Sequence, residues 1–192
     1  MNQRAEESSP LVPRLAPRRP LPPYAFIGDG FGLPHPRRDP GGHMHGNVEH
    51  DEPAPLDPAS WRESEAYLFG LDLFNHGYYW ESHEEWEGLW IAAAKKGPVS
   101  EFVKGLIKLA AAAVKIRQGQ LEGTRRHGAR AEQHFELARE MVGGAEHFAG
   151  LAFAELIEFA REVQDESREW PSFPASEVGV VYERRLWPEE AP

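Results

Sequence analysis

Cysteine is absent from the 192 residues. That excludes disulfides, thiolate nucleophiles and sulfur-bound zinc, so any metal must be held by His, Asp or Glu, with backbone or water completing the set. Long apolar runs are missing too. None approaches the ~18 residues of a membrane span, and the first residues lack the apolar core of a secretory leader. The default expectation is therefore a cytoplasmic protein with no membrane partner. Positive charge is scarce: 21 Lys and Arg against 31 Asp and Glu give a formal net charge of −10. Such a balance disfavours general nucleic-acid binding.

What is present is unevenly distributed. Residues 1–56 are rich in Pro, Gly, Arg and His and show no apolar periodicity, so they read as an extended arm. Within it, Tyr24, Phe26, Ile27 and Phe31 lie among prolines that lower the entropy cost of ordering, and they are expected to pack on the rest of the protein. Residues 57–168 repeat with a period near 3.6 and read as one helical domain; residues 169–192 form an extended tail. The expected architecture is all-α, a compact bundle of about five helices with a Pro/Gly-rich N-terminal arm.

The helix boundaries follow from local chemistry. Ser60-Trp61-Arg62-Glu63 has the form of a capping box and predicts a first helix from 60 to about 75, stopped by Asn75-His76-Gly77. A second helix spans about 79–95, ending in Lys95-Lys96-Gly97, and a third about 98–118, opened by Pro98. The third is apolar over half its circumference, with Lys104, Lys108 and Lys115 on the opposite strip. A fourth helix, about 120–142, presents His127, Ala131, His134, Ala138 and Met141 inward. A fifth, about 149–166, buries Phe153, Leu156, Ile157, Ala160 and Val163.

The densest chemistry is Tyr79-Trp80-Glu81-Ser82-His83-Glu84-Glu85-Trp86-Glu87-Gly88-Leu89-Trp90. On a helix, Tyr79, His83, Trp86 and Trp90 share one stripe with Glu87 at its edge, and His83 meets Glu87 one turn on. An imidazole and a carboxylate among indoles are costly unless they are paired or bind something. Both can reach one divalent ion, and an imidazole with carboxylates suits Zn, Fe or Mn. Two ligands are too few, so others must come from Glu84, from His76, His127 or His134, or from His35 or His43 in the arm. His127 and His134 lie about 10.5 Å apart along a helix axis, so at most one joins the site, and His127 is carried forward. The tract His43-Met44-His45 with Glu49-His50-Asp51 has metal-binding composition of its own. Ser82 and His83 do not make a nucleophile pair, because consecutive helical residues diverge by about 100°.

The run Phe74–Trp90 resembles the signature of a bacterial and archaeal family called domain of unknown function 309. Gly105–Ala112 and Gly119–Gly123, followed by Ala129-Arg130-Ala131, resemble its further blocks. The family pattern, His then Glu four residues on and Trp or Tyr three further, falls on His83, Glu87 and Trp90. The resemblance implies a small helical protein and metal binding at that pattern. Lys108 and Lys115 stand where many members are expected to carry Gln and His.

Three functional expectations follow. The first is a divalent-metal or small-ligand site with His83, Glu87 and His127 as metal ligands, and Trp90 and Lys108 contacting the bound ligand. If it is hydrolytic, Glu84 or Glu87 is the general base and water on the ion the nucleophile. The second is a non-enzymatic interaction module in which a buried His–Glu–Lys network only fixes helix register. The third, weaker, is phosphate or nucleic-acid binding through Lys115, Arg117, Arg125, Arg126 and Arg130. The sequence decides neither whether the protein is an enzyme nor whether it is a homo-oligomer.

Overall fold

Glycine and short polar turns punctuate five helices. In the computed structural model, which describes residues 13–46 and 53–189, these are α1 Glu65–Asn75, α2 Tyr79–Ala92, α3 Gly97–Arg117, α4 Leu121–Met141 and α5 Phe153–Gln164. The only strands among the described residues are β1 His147–Phe148 and β2 Leu151–Ala152, an antiparallel pair. The fold is all-α. α3 lies against both α2 and α4, α1 against α2, and α5 against α4.

The boundaries differ from the sequence expectation in two places. Ser60 is not a helix cap: Asp57 captures its hydroxyl at 3.0 Å, and residues Trp61–Glu63 form a single 3-10 turn. α1 begins one turn later, where Ser64 accepts from the Tyr67 N–H. The fifth helix starts at Phe153 rather than 149, because Ala149 (φ 48°) and Gly150 (φ 79°) make the paired left-handed turn of a two-residue hairpin. The Asn75-His76-Gly77 stop is observed, with Gly77 at φ 88°. A side chain at Gly77 would also press on the tail, its Cβ standing 2.9 Å from the Gly179 carbonyl oxygen.

The core is aromatic. Trp86, Tyr67, Phe74, Phe102, Phe135, Phe153 and Phe159 are fully buried, with Leu71, Leu89, Leu106 and Leu109 between them. Two glycines allow the closest helix approaches, Gly70 of α1 beneath the Trp86 indole and Gly105 of α3 beneath the Phe135 ring. A methyl at Gly105 would overlap that ring, which has no space to retreat. Gly105→Ala is therefore expected to lose about 1–3 kcal/mol in urea denaturation. An unchanged midpoint would show that α3 and α4 can separate freely.

The inward face of α4 is Thr124, Gly128, Ala131, Phe135 and Ala138. Met141, expected inside, is 49% exposed. His127 and His134 are half-buried on the flank. α5 buries all five expected residues, and its acidic face is partly engaged: Glu158 and Glu162 hold Arg184 of the tail.

Arm and tail both pack on the bundle. Ala25, Phe26 and Ile27 are buried, Phe26 lying 5.3 Å from the Trp80 ring, whereas Phe31 is exposed. Two carboxylates receive the arm's backbone. Asp72, with no exposed surface, accepts from Arg14 Nε (2.8 Å), Leu15 N (2.7 Å) and Ala16 N (2.8 Å). Glu81 accepts from Phe26 N at 2.9 Å. In the tail, Val181, Tyr182 and Leu186 are buried, and Asn75 both donates to and accepts from the Leu186 backbone. Arg117, expected in a solvated basic cluster, is instead buried and donates to the carbonyls of Pro174 and Glu177.

Candidate functional site

α2 is held by Tyr79, Ser82, Trp86 and Leu89, all buried. The buried face is thus rotated from the expected stripe toward Ser82 and Leu89, because the Ser82 hydroxyl donates to the Gly70 carbonyl where α1 and α2 touch. That rotation leaves His83, Glu87 and Trp90 half-buried on the flank rather than in the core.

On this flank three side chains converge. His83, Glu84 and Glu87 each offer a ligand atom, and these atoms all lie within 4.8 Å of one another. No other such group exists among the described residues. The His83 Nδ1 atom is buried with no hydrogen-bond partner; its nearest acid, Glu84 Oε1, is 3.6 Å away, too far for a hydrogen bond. The other Glu84 oxygen accepts from Arg37 Nε of the arm at 3.0 Å. Burial alone would raise the Glu84 carboxyl, but His83 and the Arg37 guanidinium together bring it below the ordinary range. Glu84 is therefore an ionised, oriented carboxylate, suited to be a ligand and poorly suited to be the base expected of it. Glu87 makes no ion pair or hydrogen bond through its side chain among the described residues.

His127 is not part of this group. It faces Lys108, Lys115, Arg126 and Arg130, and burial followed by these cations pushes its imidazole down to about 4. The remaining histidine candidates are engaged elsewhere. His134 Nδ1 lies 2.7 Å from Glu101, which also binds Lys104. His76 contacts the Asp72 carbonyl at 2.7 Å, and His35 accepts the backbone N–H groups of Arg37 and Arg38. Glu49, His50 and Asp51 lie outside the described residues.

Trp90 is half-buried between two ammonium groups, Lys95 at 4.7 Å and Lys104 at 5.7 Å from its ring. Lys108 is half-buried near Glu87. Burial lowers it first, then Arg130 and Lys104, with Glu87 opposing.

Sequence reasoning missed Glu81. It is 4% exposed, its Oε2 has no partner, and burial pushes it up to about 8, against the bond from Phe26 N. His43 Nε2 stands 3.6 Å from Oε1, itself lowered by burial. Nothing in the α2 pattern distinguishes Glu81 from its neighbouring carboxylates; only the arm, packed over it, buries it. Between the arm, the 53–66 segment and the first two helices opens a cleft of about 940 Å³. Leu21, Pro22, Met44 and Phe69 give it apolar walls, and Glu84 borders it.

Residues 67–127 match the family model described as a domain of unknown function, DUF309. The match runs from α1 into α4 and contains the whole carboxylate–imidazole group. No curated protein and no solved structure matches the chain. The DUF309 segment thus supplies the three ligand atoms, while Arg37, which orients one of them, comes from the arm outside it. No helix among the described residues is long and apolar enough to cross a membrane.

Proposed function

We propose that His83, Glu84 and Glu87 bind a divalent cation, and that a small ligand reaches it from the arm-side cleft. The observation that carries the reading is the convergence of three ligand atoms within 4.8 Å, one of them a buried imidazole nitrogen left without a partner. One nitrogen and two carboxylate oxygens fit Zn, Mn or Fe. The group is partial: three protein ligands leave positions for water or ligand, the pattern of a reactive rather than a closed structural site.

A bound divalent ion would supply Lewis acidity at this point. The chain's own residues divide the remaining tasks. Arg37 fixes the outer oxygen of Glu84, so that its inner oxygen points toward His83. Glu87, with no ion pair or hydrogen bond of its own among the described residues, has its carboxylate available to the ion. A hydrolytic role is the chemistry such an ion would supply, with all three side chains acting as its ligands. The second reading, a non-enzymatic module, is favoured by the Arg37–Glu84 pair, which satisfies one carboxylate without any ion.

The test is metal analysis and thermal melting of untagged protein. The expected result is near-stoichiometric Zn or Mn, and stabilisation of about 2.7 kcal/mol at a hundredfold excess over Kd. His83→Ala and Glu87→Gln should abolish both. Protein that binds no divalent ion, yet is destabilised by both changes, would instead support the structural network.

A further inference from the structure

We propose that Lys108, His127 and Arg130, flanked by Lys115 and Arg126, form a binding site for a small oxoanion of the phosphate-monoester class. The site lies between α3 and α4 and stands independently of the metal reading. Its basis is a concentration of cations with no ion pair among the described residues, Glu87 being the one acid that acts on Lys108 from a distance. The chain carries ten more acids than bases, yet none of the described acids forms an ion pair with Lys108, Lys115, Arg126 or Arg130. Lys108, Arg126 and Arg130 make no side-chain hydrogen bond among the described residues either. Lys115 bonds only the neutral amides of Gln118 (2.7 Å) and Gln120 (3.0 Å).

The arrangement is built rather than scattered. Lys108 and Lys115 are seven residues apart on α3 and so share a face; Arg126 and Arg130 are four apart on α4 and share another. The Lys115 stem rests on Gly123 of α4, its Cγ and Cδ 3.2 Å from where a Cβ would stand. His127 Nδ1 lies among these groups, buried and without a partner. Burial first, and then the neighbouring cations, lowers both His127 and Lys108. Lys108 and Lys115 are half-buried, with Arg126 and Arg130 exposed beside them, and an anion with several acceptor oxygens would offset their repulsion. A small dianion suits the site better than a nucleic acid, because the chain's net charge of −10 has the same sign as a long polyanion and repels it.

Full-length protein, stripped of metal on a chelating resin, is titrated with phenyl phosphate at physiological ionic strength. The expected result is saturable one-to-one binding with displaced His127 ring resonances. Lys108→Met and Arg130→Met should each weaken it at least tenfold, while melting no lower than the parent in the absence of ligand. Acetate should bind at least tenfold more weakly than phenyl phosphate. Absence of saturable binding would overturn the proposal, as would undiminished binding by both variants. A single-stranded oligonucleotide that binds more tightly than phenyl phosphate through the same lysine would overturn it in favour of a polyanion surface. Because the protein is metal-free, these outcomes are independent of whether His83 and Glu87 hold an ion.

Discussion

Glu81→Gln is expected to stabilise the protein by about 3–5 kcal/mol at pH 8.5 and to leave it nearly unchanged at pH 4.5. The folded carboxyl titrates near 8, against an ordinary 4.5. Between those values the folded chain keeps a proton that the unfolded chain has lost, so stability falls as pH rises through that window. Its contribution is fully present below 4.5 and lost above about 8. Glutamine keeps the acceptor for the Phe26 N–H and has no proton to lose. His43 works in the opposite direction: burial lowers it, so its contribution is present above its ordinary value of 6.5 and lost as pH falls. The two opposing slopes partly cancel just below pH 6.5, and above it the hold on the arm weakens steadily toward pH 8. Urea denaturation of parent and variant at pH 4.5, 6, 7 and 8.5 checks this. Parallel stability profiles would mean that Glu81 is not buried as the arm contacts require.

Asp72→Ala is expected to cost about 3–5 kcal/mol, the range for removing one partner of a buried charged pair. The change strands two buried backbone N–H groups, those of Leu15 and Ala16, and leaves Arg14 without its carboxylate. Unsatisfied buried donors cost about 1–3 kcal/mol each, which reaches the same range. Trypsin provides a second readout, since the bonds after Arg14 and Arg18 should become rapidly cleavable once residues 14–16 detach. Arg14→Ala should cost less, because Asp72 retains both backbone donors. Equal stability of Asp72→Ala and the parent, with unchanged trypsin resistance, would show that the arm is docked by other contacts.

The parts of this protein that are legible in the sequence are those governed by neighbours along the chain. α3 and α4 end within a few residues of expectation because Gly119 and Gly143 follow them, α5 buries the expected apolar stripe, and α2 stops at Ala92, three residues early, where Ala94 and Lys95 take the left-handed conformation. The proximity of His83, Glu84 and Glu87 is likewise a property of one helix. What cannot be read there depends on distant partners. Asp57 takes the hydroxyl of Ser60, and a hairpin displaces the start of α5. Its helix face alone points to His127 as a ligand; its surroundings include Lys108 and Lys115 from α3, which place cations where acids would be needed. Asp72 and Glu81 are acceptors for arm residues 55 to 58 positions earlier in the chain, and no periodicity encodes that contact.

The metal reading is tested most directly by anomalous diffraction from crystals of untagged protein grown with Mn or Zn, with data collected at the corresponding absorption edge. One dominant anomalous peak is expected on the flank of α2, within coordination distance of His83, Glu84 and Glu87, and it should vanish in His83→Ala. A peak only at His43 and His45 of the arm, or no peak at all in protein shown to be folded, would contradict it.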